Sequence, residues 1–273
     1  MNKLKVVVLV SRDPGDIYFA NQLLKRLNVT GVLVEDQYTK TAGNFSLVKK
    51  IKKYAFNPSL FVKRLKNALY YDSYIKRSRR IAAEGFGIEG KELLPKASCK
   101  IHNTCCAGSL NEPASVELIK SLKPDVIAVC GTSILKAPVV SIPPKGTLNL
   151  HGGLSQHYRG VWTTMWAIYN EEPEYVGATV HYVSKGIDDG DIIFQGRPPI
   201  SPDDNHESLY VKVVKLGSEL MIRAISDIER GTVRSHKLKA KGRLYLSSRV
   251  TPEVIREVWR KVDAGVIRKY CAK

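Results

Sequence analysis

The N-terminal stretch constrains the fold more than any other part of the chain. Residues 4–10 read LKVVVLV, a nearly unbroken run of β-branched and apolar residues that is typical of a strand buried on both faces of a parallel sheet. Residues 16–27 carry apolar side chains at helical spacing, and residues 30–35 form a second apolar run. A strand, a helix and another strand in this order predict an α/β fold.

The alternation stops after the second strand and resumes further downstream. Residues 44–56 and 58–81 are predicted to form two basic amphipathic helices, separated by Asn57 and Pro58, which suit a helix cap and a first helical turn. Because an excursion of this length exceeds an ordinary loop, we interpret residues 40–93 as a basic helical insertion.

The downstream residues restore the α/β pattern. They predict a Rossmann-like, mostly parallel twisted sheet flanked by helices, with a long helix over residues 203–230 that starts near Asp203 and Asp204. We expect a main domain over residues 1–231, which contains the insertion, and a short basic extension over residues 232–273. The other predicted strands and helices cover residues 113–122, 125–130, 147–151, 176–183, 191–195, 243–247 and a helix that opens at Thr251.

The basic charge of the chain is concentrated in two segments. The sequence has 43 Lys and Arg residues against 26 Asp and Glu, a formal net charge of +17. Residues 40–91 hold 13 of the basic and 3 of the acidic residues, and residues 231–273 hold 12 and 3. The remaining body is close to neutral, so the charge indicates where an anionic partner binds and not which reaction the body performs.

The cysteines and the apolar runs bear on the compartment. Five cysteines include no CxxC pair, so neither a disulfide framework nor a metal site is expected. The apolar runs are too short for a transmembrane helix, and the N-terminus does not have the pattern of a signal peptide. We therefore expect a cytoplasmic protein.

Three polar residues converge on one predicted edge of the sheet. Asn149 and His151 are two positions apart on a predicted strand, so both side chains point to the same face, and Asp188 lies in the later loop GIDDGD. An amide, an imidazole and a carboxylate at the carboxyl edge of a parallel sheet can stabilise a developing oxyanion and move protons. A structural polar pair at a strand end is an equal alternative for Asn149 and His151 taken alone.

A wider sequence pattern favours a functional role for Asn149 and His151 over the structural alternative. The stretches GTLNLHGGLSQHYRG, VGATVHYVSKGIDDGDIIFQ and SPDDNHESLYVKVVKLGSELMIRAISDIERG resemble the 10-formyltetrahydrofolate-dependent formyltransferase family, closely over residues 112–231 and loosely over 1–36. The specific mark of that family is Asn-x-His with a downstream Asp in an xDxG loop, and Asn149, His151 and Asp188 occupy the three positions. The resemblance implies a one-carbon group transferase whose catalytic residues are this trio.

The resemblance also implies where the formyl donor, 10-formyltetrahydrofolate, and the acceptor bind. In the family, the pterin ring of the donor is held largely by the backbone of two loops with apolar walls. The matching residues are Thr132, Ser133, Ile134, Leu135, Val183, Ser184, Lys185, Gly186 and Ile187. The candidate contacts to the acceptor are Gly152, Gly153, His157, Arg159, Ser11 and Arg12.

The implied reaction is direct transfer to a neutral primary amine. Asn149 and protonated His151 stabilise the oxyanion, and Asp188 assists proton transfer. Comparison within the family favours an amino sugar on a nucleotide or other anionic carrier. Residues 11–16 lack the glycine-rich phosphate loop of glycinamide ribonucleotide transformylase, and the segment after Gly231 is shorter than the C-terminal barrel domain of methionyl-tRNA formyltransferase.

Other functions and partners stay open. An enzyme like methionyl-tRNA formyltransferase would use the basic segments for RNA, a hydrolase would pass the formyl group to water, and a non-catalytic module would bind folate or nucleic acid. The insertion over residues 40–91 is compatible with an anionic carrier, with RNA or an anionic membrane surface, or with a solvated face packed on the body or across a homodimer.

Overall fold

The computed structural model describes residues 3–36, 73–74, 76–94, 96 and 99–273. The helix predicted for residues 44–56 and most of the one predicted for residues 58–81 lie outside the described residues. Within them, residues 76–86 are helical (α2).

Seven strands form one sheet in the order β3-β2-β1-β4-β5-β7-β8. The strands from β3 to β5 in this order run parallel, whereas β7 is antiparallel to both of its neighbours. Their bounds are Val6–Ser11 (β1), Val29–Glu35 (β2), Lys100–Thr104 (β3), Val126–Cys130 (β4), Thr147–His151 (β5), Ala178–Tyr182 (β7) and Ile192–Gly196 (β8). The predicted α/β, Rossmann-like and mostly parallel fold is confirmed.

Helices cover both faces of the sheet. One face carries α1 (Pro14–Arg26) and α6 (His206–Arg230), and the other carries α3 (Pro113–Ser121) and α4 (Ala137–Val140). The remaining helices are α5 (Thr163–Tyr169), α7 (Pro252–Asp263) and α8 (Val266–Cys271). Among the described residues, no helix combines the length and the apolar character that a membrane crossing requires.

Strand β1 explains why the sequence opens on an unbroken apolar run. Val6, Val8 and Val10 belong to the core between the sheet and α1 and α6, whereas Val7 and Leu9 belong to the core under α3. Because alternate side chains of a strand point to opposite faces, a strand at the centre of a covered sheet needs apolar residues at every position.

Helix α6 begins at His206, a few residues later than the sequence predicted. The side chain of Asn205 accepts hydrogen bonds from the backbone N–H groups of Glu207 and Ser208, over 3.0 and 3.1 Å. The hydroxyl of Ser208 accepts in return from the Asn205 N–H over 3.0 Å. This reciprocal capping box fixes the start of the helix at Asn205 and not at the two aspartates before it.

The C-terminal segment is bonded to the body at several points. Strand β9 (Arg243–Tyr245) pairs in parallel with β6 (Tyr158–Gly160), and His236 exchanges two backbone hydrogen bonds with Ile192, of 2.8 and 2.9 Å. Helix α7 buries Ile255, Val258 and Trp259 in the core on the α1 and α6 face. The division of the chain at residue 231 stays a prediction.

Candidate active site

Strands β5 and β7 bring polar side chains to the carboxyl edge of the parallel strands. Asn149 and His151 lie on β5, and the antiparallel register with β7 sets Asn149 opposite His181 and His151 opposite Thr179. His151 and His181 are 4% and 3% exposed, and Asn149 is half-buried. The spacing of two along the strand therefore places both predicted residues on one face.

Asp188 reaches these side chains from the loop between β7 and β8. Its φ of +48° lies in the left-handed region, which Asp tolerates better than most residues do. The Gly160 N–H donates to Asp188 Oδ2 over 2.8 Å. A Cβ on Gly190 would overlap the carbonyl oxygen of Tyr182, so only glycine allows this turn to close. The loop and β6 together hold the carboxylate in place.

The carboxylate of Asp188 faces two imidazoles and one amide. Its Oδ2 lies 3.3 Å from His151 Nδ1, and its Oδ1 lies 3.6 Å from His181 Nε2 and 3.4 Å from Asn149 Nδ2. Burial acts to raise the pKa of Asp188, but His151, His181 and the Gly160 amide together outweigh it and lower the pKa to about 2. Asp188 is therefore an anion at neutral pH.

His151 has a hydrogen-bond acceptor at each ring nitrogen. Its Nε2 lies 2.8 Å from the carbonyl oxygen of Tyr158, and its Nδ1 faces Asp188. A carbonyl oxygen can only accept, so Nε2 carries a hydrogen, and Nδ1 points at the ionised carboxylate. Both partners hold the ring in one orientation. Gly153 leaves room for it, because a Cβ there would lie 2.7 Å from His151 Nε2.

His181 joins this cluster, although the sequence analysis did not place it in the site. Its Nδ1 donates to the carbonyl oxygen of Tyr182 over 2.8 Å, and its Nε2 lies 3.3 Å from Asn149 Nδ2 and 3.6 Å from Asp188 Oδ1. The two contacts of the Asn149 amide, 3.3 and 3.4 Å, are longer than the usual ~2.9–3.0 Å of an N–H···O bond. Such weak bonds are readily exchanged for bonds to a ligand oxygen.

The first predicted donor loop follows β4 and is fixed by Glu35. This carboxylate is fully buried at the end of β2. Its Oε2 accepts from the Ser133 N–H over 2.7 Å, and its Oε1 accepts from the Ser133 hydroxyl over 2.8 Å and the Gly108 N–H over 2.9 Å. The next residue, Ile134, is 71% exposed. A backbone that is held by hydrogen bonds beside an exposed apolar side chain suits the binding of a flat ring.

The second predicted donor loop, residues 183–187, is tied to the neighbouring β6 and β9 segments. The Ser184 hydroxyl donates to the Asp189 carboxylate, and Lys241 Nζ pairs with the same carboxylate at 2.7 Å. Arg159 Nη1 donates to the carbonyl oxygen of Ile187 over 3.1 Å. These bonds fix the backbone that precedes Asp188.

Three of the candidate acceptor residues, His157, Ser11 and Arg12, contact side chains outside the trio of Asn149, His151 and Asp188. His157 stacks on Tyr175 with ring centroids 3.8 Å apart, and the Ser11 hydroxyl donates to the buried Asp16 over 2.5 Å. Arg12 is exposed, donates to Asn103 Oδ1 over 3.1 Å and lies 3.6 Å from the Asp36 carboxylate. Gly152 and Gly153 follow His151 along the chain, and Arg159 donates to the carbonyl oxygen of Ile187, the residue before Asp188.

The arrangement combines a buried imidazole, a buried anion and an adaptable amide. His151 lies against the Asp188 carboxylate, and Asn149 offers N–H groups held by long hydrogen bonds. Donors prearranged in a site with little water stabilise negative charge that develops on a substrate oxygen. The chemistry that this geometry suits best is addition to a carbonyl carbon.

Comparison with known proteins places the chain among formyltransferases. The family model described as formyl transferase matches residues 78–225, just over half of the chain. A methionyl-tRNA formyltransferase of Syntrophus aciditrophicus is 34% identical over 121 residues, which make up 44% of this chain and 38% of that protein. The chain matches less than half of the length of such curated relatives.

Solved structures share the fold over most of the chain. A 4-N formyltransferase from Francisella tularensis superposes with a TM-score of 0.54 at 18% identity, over 96% of this chain and 88% of that one. An N-formyltransferase from Helicobacter canadensis, in complex with folinic acid and dTDP-3-aminofucose, gives a TM-score of 0.50 at 15% identity, over 92% and 78%. At these identities the likeness is one of fold.

The mostly parallel sheet and the polar cluster at its carboxyl edge define an α/β protein with the fold of these formyltransferases. With the family model matched over residues 78–225, the chain belongs to the formyl transferase family. The family that the sequence motifs indicated is confirmed.

Proposed function

We propose that this protein transfers a formyl group from 10-formyltetrahydrofolate to a primary amine. The observation that carries the proposal is the convergence of Asn149, His151 and Asp188, with the first two 3.4 and 3.3 Å from the carboxylate of the third. These are the three residues that the family resemblance marks as catalytic. Membership of the formyl transferase family supports the same chemistry.

In this proposal each residue of the trio has its own role. His151 and Asn149 stabilise the negative charge on the formyl oxygen while the amine adds to the formyl carbon. Asp188 keeps His151 cationic by pairing with it. Because the pKa of Asp188 is about 2, its carboxylate relays the proton that the amine loses and does not retain it at neutral pH. The new bond to the acceptor nitrogen replaces the bond to the donor nitrogen, which takes up a proton.

The donor is proposed to bind between the two loops at the carboxyl edge of the sheet. The pterin would lie against Ile134, whose side chain is 71% exposed, with the backbone of Ser133 held in position by Glu35. Residues 183–187 would form the opposite wall. A folate compound is bound to the Helicobacter relative, which shares this fold.

The acceptor is proposed to be an amine on an anionic carrier, because a strip of positive charge borders the trio. We call this strip the basic rim. It consists of Arg234, Lys237, Lys239, Lys241 and Arg243, which are all exposed, and residues 234–243 contain no acidic residue. Such a surface attracts phosphate groups and raises the rate at which they reach the site.

The basic rim is attached to the elements that hold Asp188. The Gly242 N–H donates to the carbonyl oxygen of Ser155 over 3.0 Å, and its own carbonyl accepts from Arg159 Nε over 3.0 Å. Lys241 pairs with Asp189, the residue after Asp188. The phosphates of an acceptor that reaches the trio would therefore lie within range of these cations.

A nucleotide-linked amino sugar is the acceptor that we favour within this class. The Helicobacter relative was solved with dTDP-3-aminofucose, which has an amine on a diphosphate carrier. Methionyl-tRNA is the second candidate, because the curated relatives carry that name and the basic rim would also suit RNA phosphates.

An acceptor panel tests the proposal. Protein and 10-formyltetrahydrofolate are incubated with nucleotide-linked amino sugars, with methionyl-tRNA or without an amine, and formylated products and free formate are measured by mass spectrometry. We expect a formylated amine with at least one acceptor and little formate without one. Asn149→Ala and Asp188→Ala should each lose most turnover while circular dichroism stays unchanged. Formate release at full rate without any amine would indicate a hydrolase and contradict transfer.

A further inference from the structure

Two adjacent cysteines and a glutamate cluster on the far side of the first donor loop. Cys105 and Cys106 directly follow β3, and Glu112 occupies the N-cap position of α3. Their two sulfur atoms and a carboxylate oxygen all lie within 4.8 Å of one another, and the two sulfurs are 3.5 Å apart. None of these residues belongs to the proposed active site.

The backbone between these residues is fixed by short-range hydrogen bonds. The Ser109 N–H donates to the carbonyl oxygen of Cys106 over 3.1 Å, and the Glu112 N–H donates to the carbonyl oxygen of Ser109 over 3.1 Å. Gly108 adopts a φ of +86°, which lets the chain turn back toward the cysteines. The three side chains are therefore held close together by the fold itself.

The Glu112 side chain does not cap its helix, although Glu112 occupies the N-cap position. A side-chain oxygen at an N-cap can accept hydrogen bonds from the first N–H groups of its helix. The Glu112 side chain makes no such bond, and within the described part of the chain no cation pairs with it. An exposed carboxylate beside two sulfur atoms instead has the donor set of a cation site.

We propose that Cys105, Cys106 and Glu112 bind one thiophilic divalent cation, Zn²⁺, with water completing the coordination. Zinc accepts thiolate sulfur at ~2.3 Å and carboxylate oxygen at ~2.0–2.2 Å, so two sulfurs on one tetrahedral ion lie roughly 3.8 Å apart. The observed 3.5 Å is close to that separation. Each thiol releases its proton on binding.

The resulting charge is favoured by the position of the site. Two thiolates, one carboxylate and Zn²⁺ carry a net charge of −1, which the positive end of the α3 dipole stabilises. This proposal departs from the sequence-based expectation of no metal site. That expectation rested on the lack of CxxC spacing, whereas folding adds the carboxylate of Glu112 to an adjacent pair of cysteines.

The proposed zinc site is connected to the first donor loop. The Gly108 N–H is shared between the Ser133 hydroxyl at 3.0 Å and Glu35 Oε1 at 2.9 Å, and Asn111 Nδ2 donates to the carbonyl oxygen of Ile134 over 3.0 Å. Zinc bound to this segment would stiffen the support of that loop. An effect on the donor rests on the proposed function, whereas the zinc binding does not.

Zinc binding is tested on the full chain without folate or amine. The protein is reduced with a phosphine, stripped of metal, titrated with Zn²⁺ and desalted, and the bound metal is measured by elemental analysis. Alkylation by iodoacetamide is then mapped by peptide mass spectrometry. We expect one zinc per chain and protection of Cys105 and Cys106, while the exposed Cys271 stays reactive and serves as the internal control.

Substitutions identify the ligands. Cys105→Ser, Cys106→Ser and Glu112→Gln should each weaken zinc binding by about tenfold or more, since loss of an outer-shell contact alone costs ~10–100-fold. Cys271→Ser should bind zinc like the wild type. Retention of no zinc, equal alkylation of Cys105 and Cys271 with zinc present, or an unchanged affinity in Glu112→Gln would each overturn the proposal. Because no formyl transfer is measured, failure here leaves the proposed function untouched.

Discussion

His151 and Asn149 differ in how firmly their side chains are held. Both ring nitrogens of His151 have a partner, Tyr158 at 2.8 Å and Asp188 at 3.3 Å, so this ring has a fixed orientation. The N–H groups of Asn149 have only long contacts and can turn toward a substrate oxygen. We infer that charge comes mainly from His151 and directional hydrogen bonding mainly from Asn149.

The proposed role of the first donor loop leads to a prediction about one side chain, that of Ile134. Ile134 is 71% exposed, so Ile134→Asp should weaken binding of a folate analogue without changing the melting temperature of the free protein. Binding stabilises a protein in proportion to the logarithm of ligand saturation, so the thermal shift caused by the analogue should shrink.

A matched control is available for this prediction. Ile88 is also large, apolar and exposed, at 57%, but it lies in the short helical turn Gly87–Gly90 that packs against α1. Ile88→Asp should keep the full thermal shift with the folate analogue. Equal shifts in wild type, Ile134→Asp and Ile88→Asp would contradict the proposed donor site.

The convergence of Asn149, His151 and Asp188 could be predicted from the sequence, but their contact with His181 could not. Asn149 and His151 share a face because they are two apart on a strand, and the family motif adds Asp188. His181 comes opposite Asn149 only because β7 pairs antiparallel with β5 in one register. Such cross-strand register depends on distant residues, and no local pattern encodes it.

At the scale of elements, the first turn of α1 holds an unusual buried acid. Asp16 is 3% exposed and accepts hydrogen bonds from the Ser11 hydroxyl and from Cys130 Sγ, over 2.5 and 3.2 Å. Burial, followed by the nearby Asp13 carboxylate, raises the pKa of Asp16 to about 7. The folded protein therefore binds this proton more tightly than the unfolded chain does.

This raised pKa predicts a pH dependence of stability. The stabilisation from Asp16 is fully present below its unfolded pKa of 3.8 and is lost as pH rises to about 7, because the unfolded chain gives up the proton first. The loss amounts to roughly 2–4 kcal/mol of unfolding free energy. The side chain in Asp16→Asn cannot titrate. The unfolding free energy of this variant should therefore increase relative to that of the wild type as pH rises. Denaturant unfolding between pH 3.8 and about 7 measures this difference. If the unfolding free energies of the two proteins change in parallel with pH, the prediction is wrong.

The basic rim predicts a salt-dependent effect on the acceptor. Lys237→Glu combined with Lys239→Glu should raise the acceptor KM by roughly thirtyfold at low salt, since each reversal costs about 1 kcal/mol near a phosphate. The effect should shrink as salt screens the charges, and kcat should stay near that of the wild type. Steady-state kinetics at several ionic strengths measure both.

The control for the basic rim uses two lysines outside it. Lys100 is exposed on the edge strand β3, and Lys123 is exposed beyond α3. Lys100→Glu combined with Lys123→Glu changes the net charge equally but should leave the acceptor KM unchanged. Identical rises in both double variants would show that net charge, and not the basic rim, sets acceptor binding.

The strands and helices were predicted most accurately where their residues are buried. The predicted strand over residues 147–151 agrees with β5, and the first strand and helix differ from β1 and α1 by a residue or two, because each has a continuous or periodic apolar pattern. Strand β3 reads KIHNT and lies at the edge of the sheet, largely exposed, so it has no apolar signal. Strand β6 is only three residues long and exists through its pairing with β9.

At the scale of the whole molecule, the C-terminal helices form part of the main core. Trp259 on α7 is 5% exposed, lies under the Arg77 guanidinium at 3.3 Å and meets His206 edge-on at 4.5 Å. These contacts join α2, α6 and α7. The chain should therefore unfold as one cooperative unit, although the sequence predicted an extension distinct from the main domain.

Trp259→Ala tests that cooperativity. Removal of a buried aromatic side chain should lower the free energy of the single unfolding transition by about 3–5 kcal/mol. Arg260→Ala, on the exposed side of the same helix, should change it by less than about 0.5 kcal/mol. Calorimetry that resolves a separate small transition, with the main one unchanged in Trp259→Ala, would contradict a shared core.

The most direct test of the account is the turnover of His151→Ala with a working donor and acceptor pair. The variant should keep the fold by circular dichroism, because the change removes charge and hydrogen bonds and leaves the strand pairing of β5 intact. Its kcat for amine-dependent formyl transfer should fall by ~10²–10³, the loss expected for one group that stabilises an oxyanion. Turnover by His151→Ala close to that of the wild type would contradict the assignment of the active site.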